Sequence, residues 1–134
     1  MAMTEAKKIS CLLARVRGSE GNPEFMEKEA MKIVKGQAAI KEVKIIRGND
    51  LLKHGMNLFH AVGRAATKPP RAIFIKYMGR PRDKTIDLAI VGKGITFDTG
   101  GLNIKMALMD KMHGDKGGAT AVLGALSACL KMKV

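Results

Sequence analysis

Hydrophobic positions along the chain change their period several times, and each change marks an element. Residues 5–16 predict a short helix ending near Gly18. Asn22-Pro23-Glu24 then reads as a helix start: Asn caps the free amides, Pro tolerates the first position, and Glu suits the positive helix end. Met26, Ala30, Ile33 and Val34 follow at helical spacing and form one apolar face. Residues 43–46 predict a short strand. Asn49 or Asp50 would cap a brief helix ending at Gly55, and residues 56–66 predict a second one with Leu58, Phe59 and Val62 turned inward. Pro69-Pro70 forces extended backbone ahead of a strand over residues 72–77. A turn over residues 79–83 leads to a strand over residues 86–91, apolar on both faces as a central strand would be. A glycine-rich loop spans residues 92–101. Residues 117–131 predict a helix apolar nearly all round, hence buried. Helices alternating with strands give an α/β class: a partial mixed sheet flanked by helices.

Composition narrows this picture without redirecting it. The 134 residues suit one domain, with residues 1–21 as a lead-in helix and loop and residues 22–134 as the core. Ten Met and many Ala supply apolar bulk in place of aromatics, which make up 4%. The formal charge of +12 invites a nucleic-acid reading. Yet the basic residues are scattered singly or in pairs, with no aromatics interleaved for base stacking, so solvated surface explains them better. Cys11 and Cys129 have neither the spacing nor the His partners of a structural zinc site, and two free thiols suit a reducing compartment. The start MAMTEAKKISCLLARVRG lacks a signal-like apolar core, and the run from Gly117 to Leu130 is too short to span a bilayer. A cytoplasmic protein without a membrane span is the expectation.

Chemistry concentrates between Val91 and Gly118, in VGKGITFDTGGLNIK and MHGDKGG. Lys93 and Asp98 lie in a loop at the carboxyl end of a predicted strand, where functional groups of open α/β sheets gather. Lys105 and Asp115 follow, Asp115 just ahead of the last helix. Each also has an ordinary reading. Asp115 serves equally as an N-cap for the amides of Gly117 or Gly118, Gly100-Gly101 as a turn needing positive φ, and the two lysines as solvated cations. A phosphate loop is excluded, because Gly follows Lys93 where Ser or Thr is required.

Together these strings resemble the signature of the leucyl aminopeptidase family, cytosolic exopeptidases that use two metal ions. VGKGITFDTGGLNIK carries Lys, Asp, Gly-Gly and Lys at the family's positions, and MHGDKGGATAVLGAL is similar to its next block. GMNLFHAVGRAATKPPRAIFIKYMG and NPEFMEKEA resemble the segments that precede them, so the resemblance covers residues 10–134. It implies the N-terminal part of a catalytic domain and assigns roles. Lys93, Asp98 and Asp115 would be metal ligands, Asp98 bridging two ions. Lys105 would be the catalytic lysine that polarises the scissile carbonyl. Met112 would line the pocket for the substrate's first side chain. The implied cofactors are two divalent ions, Zn or Mn first and Mg or Co next. Such ions supply hydroxide near neutral pH, a protonated lysine supplies an oxyanion donor, and a lysine ligand must be the neutral amine. Peptide substrates and a homo-oligomer, a hexamer in the family, are the implied partners.

Three features depart from the family pattern. Its other signature, NTDAEGRL, supplies an Asp and a Glu to the metals and an Arg that holds bicarbonate; no such string occurs in these residues. Lys116 stands where the family usually has Met, a cation beside a dimetal site. The spacing from Lys105 to Asp115 is about one residue short. The implied site is therefore incomplete, and a strand over residues 86–91 would present an open apolar edge, predicting poor solubility or an oligomer. Three functions compete: a metal-dependent aminopeptidase releasing Leu-like N-terminal residues, an inactive aminopeptidase-like binding or structural module, and nucleic-acid binding, which the scattered charge disfavours.

Overall fold

The computed structural model describes residues 1–80 and 85–134. Its elements follow one another as α1 (Ala2–Arg15), α2 (Pro23–Val34), β1 (Ile40–Arg47), α3 (Asp50–Lys53), α4 (Asn57–Gly63), β2 (Arg71–Tyr77), a 3₁₀ stretch (Met109–Lys116) and α5 (Gly117–Met132). The class is α/β.

Local chemistry accounts for α2. Asn22 Oδ1 accepts from the Phe25 amide at 3.0 Å, and Pro23 takes the first turn, where its missing N–H costs nothing. Met26, Ala30 and Val34 are buried and Ile33 half-buried, as the spacing predicts. Pro69-Pro70 precedes β2, which pairs antiparallel with β1 so that Val43 faces Ile75, Ile45 faces Ile73 and Arg47 faces Arg71. Among the described residues these two strands make up the sheet.

Two apolar clusters hold the elements together. Leu13, Met26, Ala30 and Leu123 gather α1, α2 and α5, and Ile73 and Ile75 of the sheet pack against them. Ile46, Leu51 and Ala72 form the second, placing α3 on β1 and β2. α1 and α5 approach so closely at Gly124 that a Cβ there would lie 2.8 Å from the Ala6 carbonyl oxygen.

Several expectations need correction. Residues 86–91 form no strand: residues 85–100 carry neither helix nor strand, and Ile86, Leu88, Ile90 and Val91 are exposed. A strand apolar on both faces needs neighbours on both sides, and the described sheet offers none. In α4, Leu58, Phe59 and Val62 are exposed rather than inward, because no described element covers that face. α3 gains no side-chain cap from Asn49, whose Oδ1 instead meets His60 Nε2 at 3.0 Å, while Asp50 pairs with Lys53. α5 is buried along one face through Thr120, Leu123, Gly124, Ser127 and Ala128, with Ala121 and Ala125 exposed, so it is not buried all round. The turn expected over residues 79–83 lies partly outside the described residues.

Candidate functional site

The glycine-rich loop is shaped by close backbone contact with the start of α5. The Ala119 amide donates to the Lys93 carbonyl oxygen at 2.7 Å. A Cβ on Gly118 would lie 2.7 Å from the Lys93 nitrogen, and one on Gly92 would lie 2.6 Å from the Gly118 carbonyl oxygen. Glycine at both positions is what lets the backbone of Lys93 rest on the first turn of the helix. Further along, Gly100 and Gly101 adopt φ of 93° and 68°, and the Lys105 amide closes this turn onto the Thr99 carbonyl oxygen at 2.9 Å.

These backbone contacts bring the predicted side chains together in pairs. Lys93 Nζ lies 3.7 Å from Asp115 Oδ2. Lys105 forms an ion pair with Asp98 and also points its Nζ at Met112 Sδ, 3.6 Å away. Met112 is buried, Asp98, Lys105 and Asp115 are half-buried, and Lys93 is exposed. The five residues thus fall into two groups, Lys93 with Asp115 and Lys105 with Asp98 and Met112. The N-cap position of α5 is Lys116, with no side-chain cap, so Asp115 does not act as the helix cap that its position suggested. The short connection from Lys105 turns through Leu108 at φ 64°, a left-handed conformation that costs a non-glycine residue about 1–2 kcal/mol.

The fit to a metal rests on the donors that the chain brings. Two ligands at ~2.1 Å from one ion span up to ~4.2 Å, and the 3.7 Å between Lys93 and Asp115 falls within that reach. Asp98 lies against Lys105 rather than a second acid. Among the described residues, no group of three or more His, Cys, Asp and Glu side chains gathers as a metal cluster. The donors therefore fit part of a metal centre.

Lys116, the cation that departs from the family pattern, directs its charge to backbone carbonyls. Its side chain has no solvent-accessible surface. Its Nζ donates to the carbonyl oxygens of Ala14 at 3.2 Å and His113 at 2.7 Å, and to that of Val16. Burial pushes its amine below the ordinary lysine range. A lysine just ahead of a Gly-Gly helix start gives no local sign of such distant partners.

Comparison with known proteins gives the family. Residues 10–134 match the model of the cytosol aminopeptidase family, catalytic domain. The chain is 40% identical over 114 residues to the probable cytosol aminopeptidase of Pseudomonas fluorescens strain SBW25, covering 84% of this chain and 23% of the relative. It is 36% identical over 132 residues to that of Thioalkalivibrio sulfidiphilus, covering 98% of this chain and 26% of the relative. Among solved structures, the leucine aminopeptidase of Caenorhabditis elegans superposes with a TM-score of 0.84 at 32% identity, over 97% of this chain and 26% of that one. The bottromycin maturation enzyme BotP in complex with Mn gives 0.83 at 30% identity, over 98% of this chain and 28% of that one. The chain spans about a quarter of the length of these relatives. Among the described residues, no helix is long and apolar enough to cross a membrane.

Proposed function

This chain belongs to the cytosol aminopeptidase family, and from that premise we propose that it carries the first part of a metal-dependent aminopeptidase centre that releases Leu-like N-terminal residues from peptides. The observation that carries the reading is the pairing of Lys93 with Asp115 and of Lys105 with Asp98 and Met112. In the whole protein, Lys93, Asp98 and Asp115 would hold divalent ions, Zn or Mn first, with Mg or Co as alternatives. Two such ions, when bound, lower the pKa of a water and make it the nucleophile. Lys105 donates from its ammonium to the scissile carbonyl and holds the charge that develops on its oxygen. Met112, buried beside Lys105, forms apolar wall for the side chain being released. Peptides are the proposed substrates, homo-oligomerisation belongs to the same proposal, and the cytoplasm is the proposed location.

One observation favours a second reading, an inactive module that binds or scaffolds. The described residues gather no cluster of three or more acid, His or Cys donors. Leu-amide hydrolysis by the purified chain with added Mn²⁺ or Zn²⁺ separates the two. Release abolished by a chelator and by Asp98→Ala supports a working centre. A folded chain that takes up Mn²⁺ without turnover supports the module. A folded chain that takes up neither metal nor substrate sinks the assignment of these ligands.

A further inference from the structure

We propose that Lys116 is a positioning residue, a clamp that ties the turn carrying Asp115 to the C-terminal end of α1 and so holds Asp115 against Lys93. An ammonium has three donors, and this one meets three carbonyl oxygens, those of Ala14, Val16 and His113. Ala14 and Val16 lie at the end of α1, where the last carbonyls have no partner within the helix and carry its partial negative charge. The third acceptor, His113, stands two residues before Asp115. One buried cation therefore joins segments about a hundred residues apart in sequence.

The clamp fixes the Asp115 turn from both sides. His113 is held through its carbonyl, and Lys116 through its own side chain. Immediately after them, the Gly117 amide donates to the Gly114 carbonyl oxygen, and the Ala119 amide donates to that of Lys93. The backbone of Lys93 is thus docked on the same first turn of α5 that Lys116 anchors. Withdrawing the ammonium would leave the α1 carbonyls without this donor and would free the turn to move relative to Lys93. The charge of this cation is matched by three carbonyl dipoles.

That Asp115 is held for the sake of a metal rests on the function proposed above; the clamp itself is read without metal. Amide hydrogen exchange, followed by NMR on the whole chain, compares the unsubstituted protein with Lys116→Met and Lys116→Gln. Met keeps the apolar stem, and Gln keeps a neutral donor on a shorter one. In Lys116→Met, the Gly117 and Ala119 amides should exchange on the order of 10- to 100-fold faster, the loss of one charged hydrogen-bond set. Leu123 and Ala128, in the middle of α5, should change by less than about threefold. Lys116→Gln should fall between. Uniform acceleration along α5, no acceleration, or unfolding of both variants would make Lys116 a residue of general stability or of none, and would overturn the proposal. Mn²⁺ added to the unsubstituted chain separates the two ideas. Local exchange effects without paramagnetic broadening near Lys93 and Asp115 would leave the clamp standing and remove the metal reading.

Discussion

Replacing Gly92 with alanine would drive a methyl group into the first turn of α5. The new Cβ would lie 2.6 Å from the Gly118 carbonyl oxygen and 2.7 Å from Ala119 Cα, against 3.4 Å where ordinary contact begins. Both obstacles are backbone of a helix whose next turns are buried, so neither yields by rotating a side chain. Overpacking of this kind costs about 1–3 kcal/mol, and a clash of 0.8 Å with rigid atoms belongs at the upper end. At about 4 °C per kcal/mol for a chain of this length, the melting temperature should fall by roughly 8–12 °C. Gly94 is the control two residues on. A Cβ there would meet only the Ala119 methyl at 3.1 Å, a side-chain contact that small shifts relieve, so Gly94→Ala should cost below about 1 kcal/mol. Thermal unfolding by circular dichroism compares them, with exchange at the Ala119 amide reporting whether the bond to Lys93 survives. If Gly92→Ala melted within about 2 °C of Gly94→Ala, the loop would not be docked as described and the placement of Lys93 would fail with it.

Two further predictions concern the opening of α2. Asn22→Ala removes the acceptor for the Phe25 amide and should lower stability by about 1 kcal/mol, measured by urea unfolding. Glu24 is held down to about 2 from its ordinary 4.5 by hydrogen bonds from Lys68 and Lys28, so its contribution is present above about 4.5 and lost as pH falls toward 2. Glu24→Gln should flatten the pH dependence of unfolding in that window, and an unchanged profile would refute the pairing.

The parts of this fold that were legible in the sequence are those governed by neighbours along the chain. Asn22-Pro23 starts α2 through contacts within one turn, and Pro69-Pro70 sets up β2 by excluding helix. The glycine and lysine positions of the candidate site were legible as a motif. Its contacts were not: Lys93 meets Asp115 because the loop docks on the first turn of α5, and Lys116 meets Ala14 because the end of α1 lies beside that turn. Residues 86–91 and α4 show the other limit. An apolar pattern states that a face favours burial, but not that a partner is present to bury it.

Glu27 shows how a single acid decides a strand pairing. Register places Arg47 directly opposite Arg71, and like charges across a strand pair are destabilising. Glu27 reaches from α2 to both: its carboxylate accepts from Arg47 Nε at 2.9 Å and Nη2 at 2.5 Å, and its Oε2 lies 2.5 Å from Arg71 Nε in an ion pair. Arg47 first, then Arg71, holds the carboxyl below its ordinary range, against burial that would raise it. Glu27 and Arg71 are largely buried, while Arg47 is half exposed. Glu27→Gln should therefore cost about 2 kcal/mol, between the ~0–1 of an exposed pair and the ~3–5 of a buried one. Part of that cost is the repulsion left between the two arginines. Adding Arg47→Leu should then recover stability rather than lose more, so that the double variant is more stable than Glu27→Gln alone. A lowered carboxylate pKa places the contribution above the ordinary value of 4.5 and removes it as pH falls below, so the wild-type advantage over Glu27→Gln should shrink in acid. Urea unfolding of the four chains at neutral and acid pH measures both effects. Simple additivity of the two substitutions would mean that Glu27 and Arg47 are not coupled, and would refute the role given to Glu27.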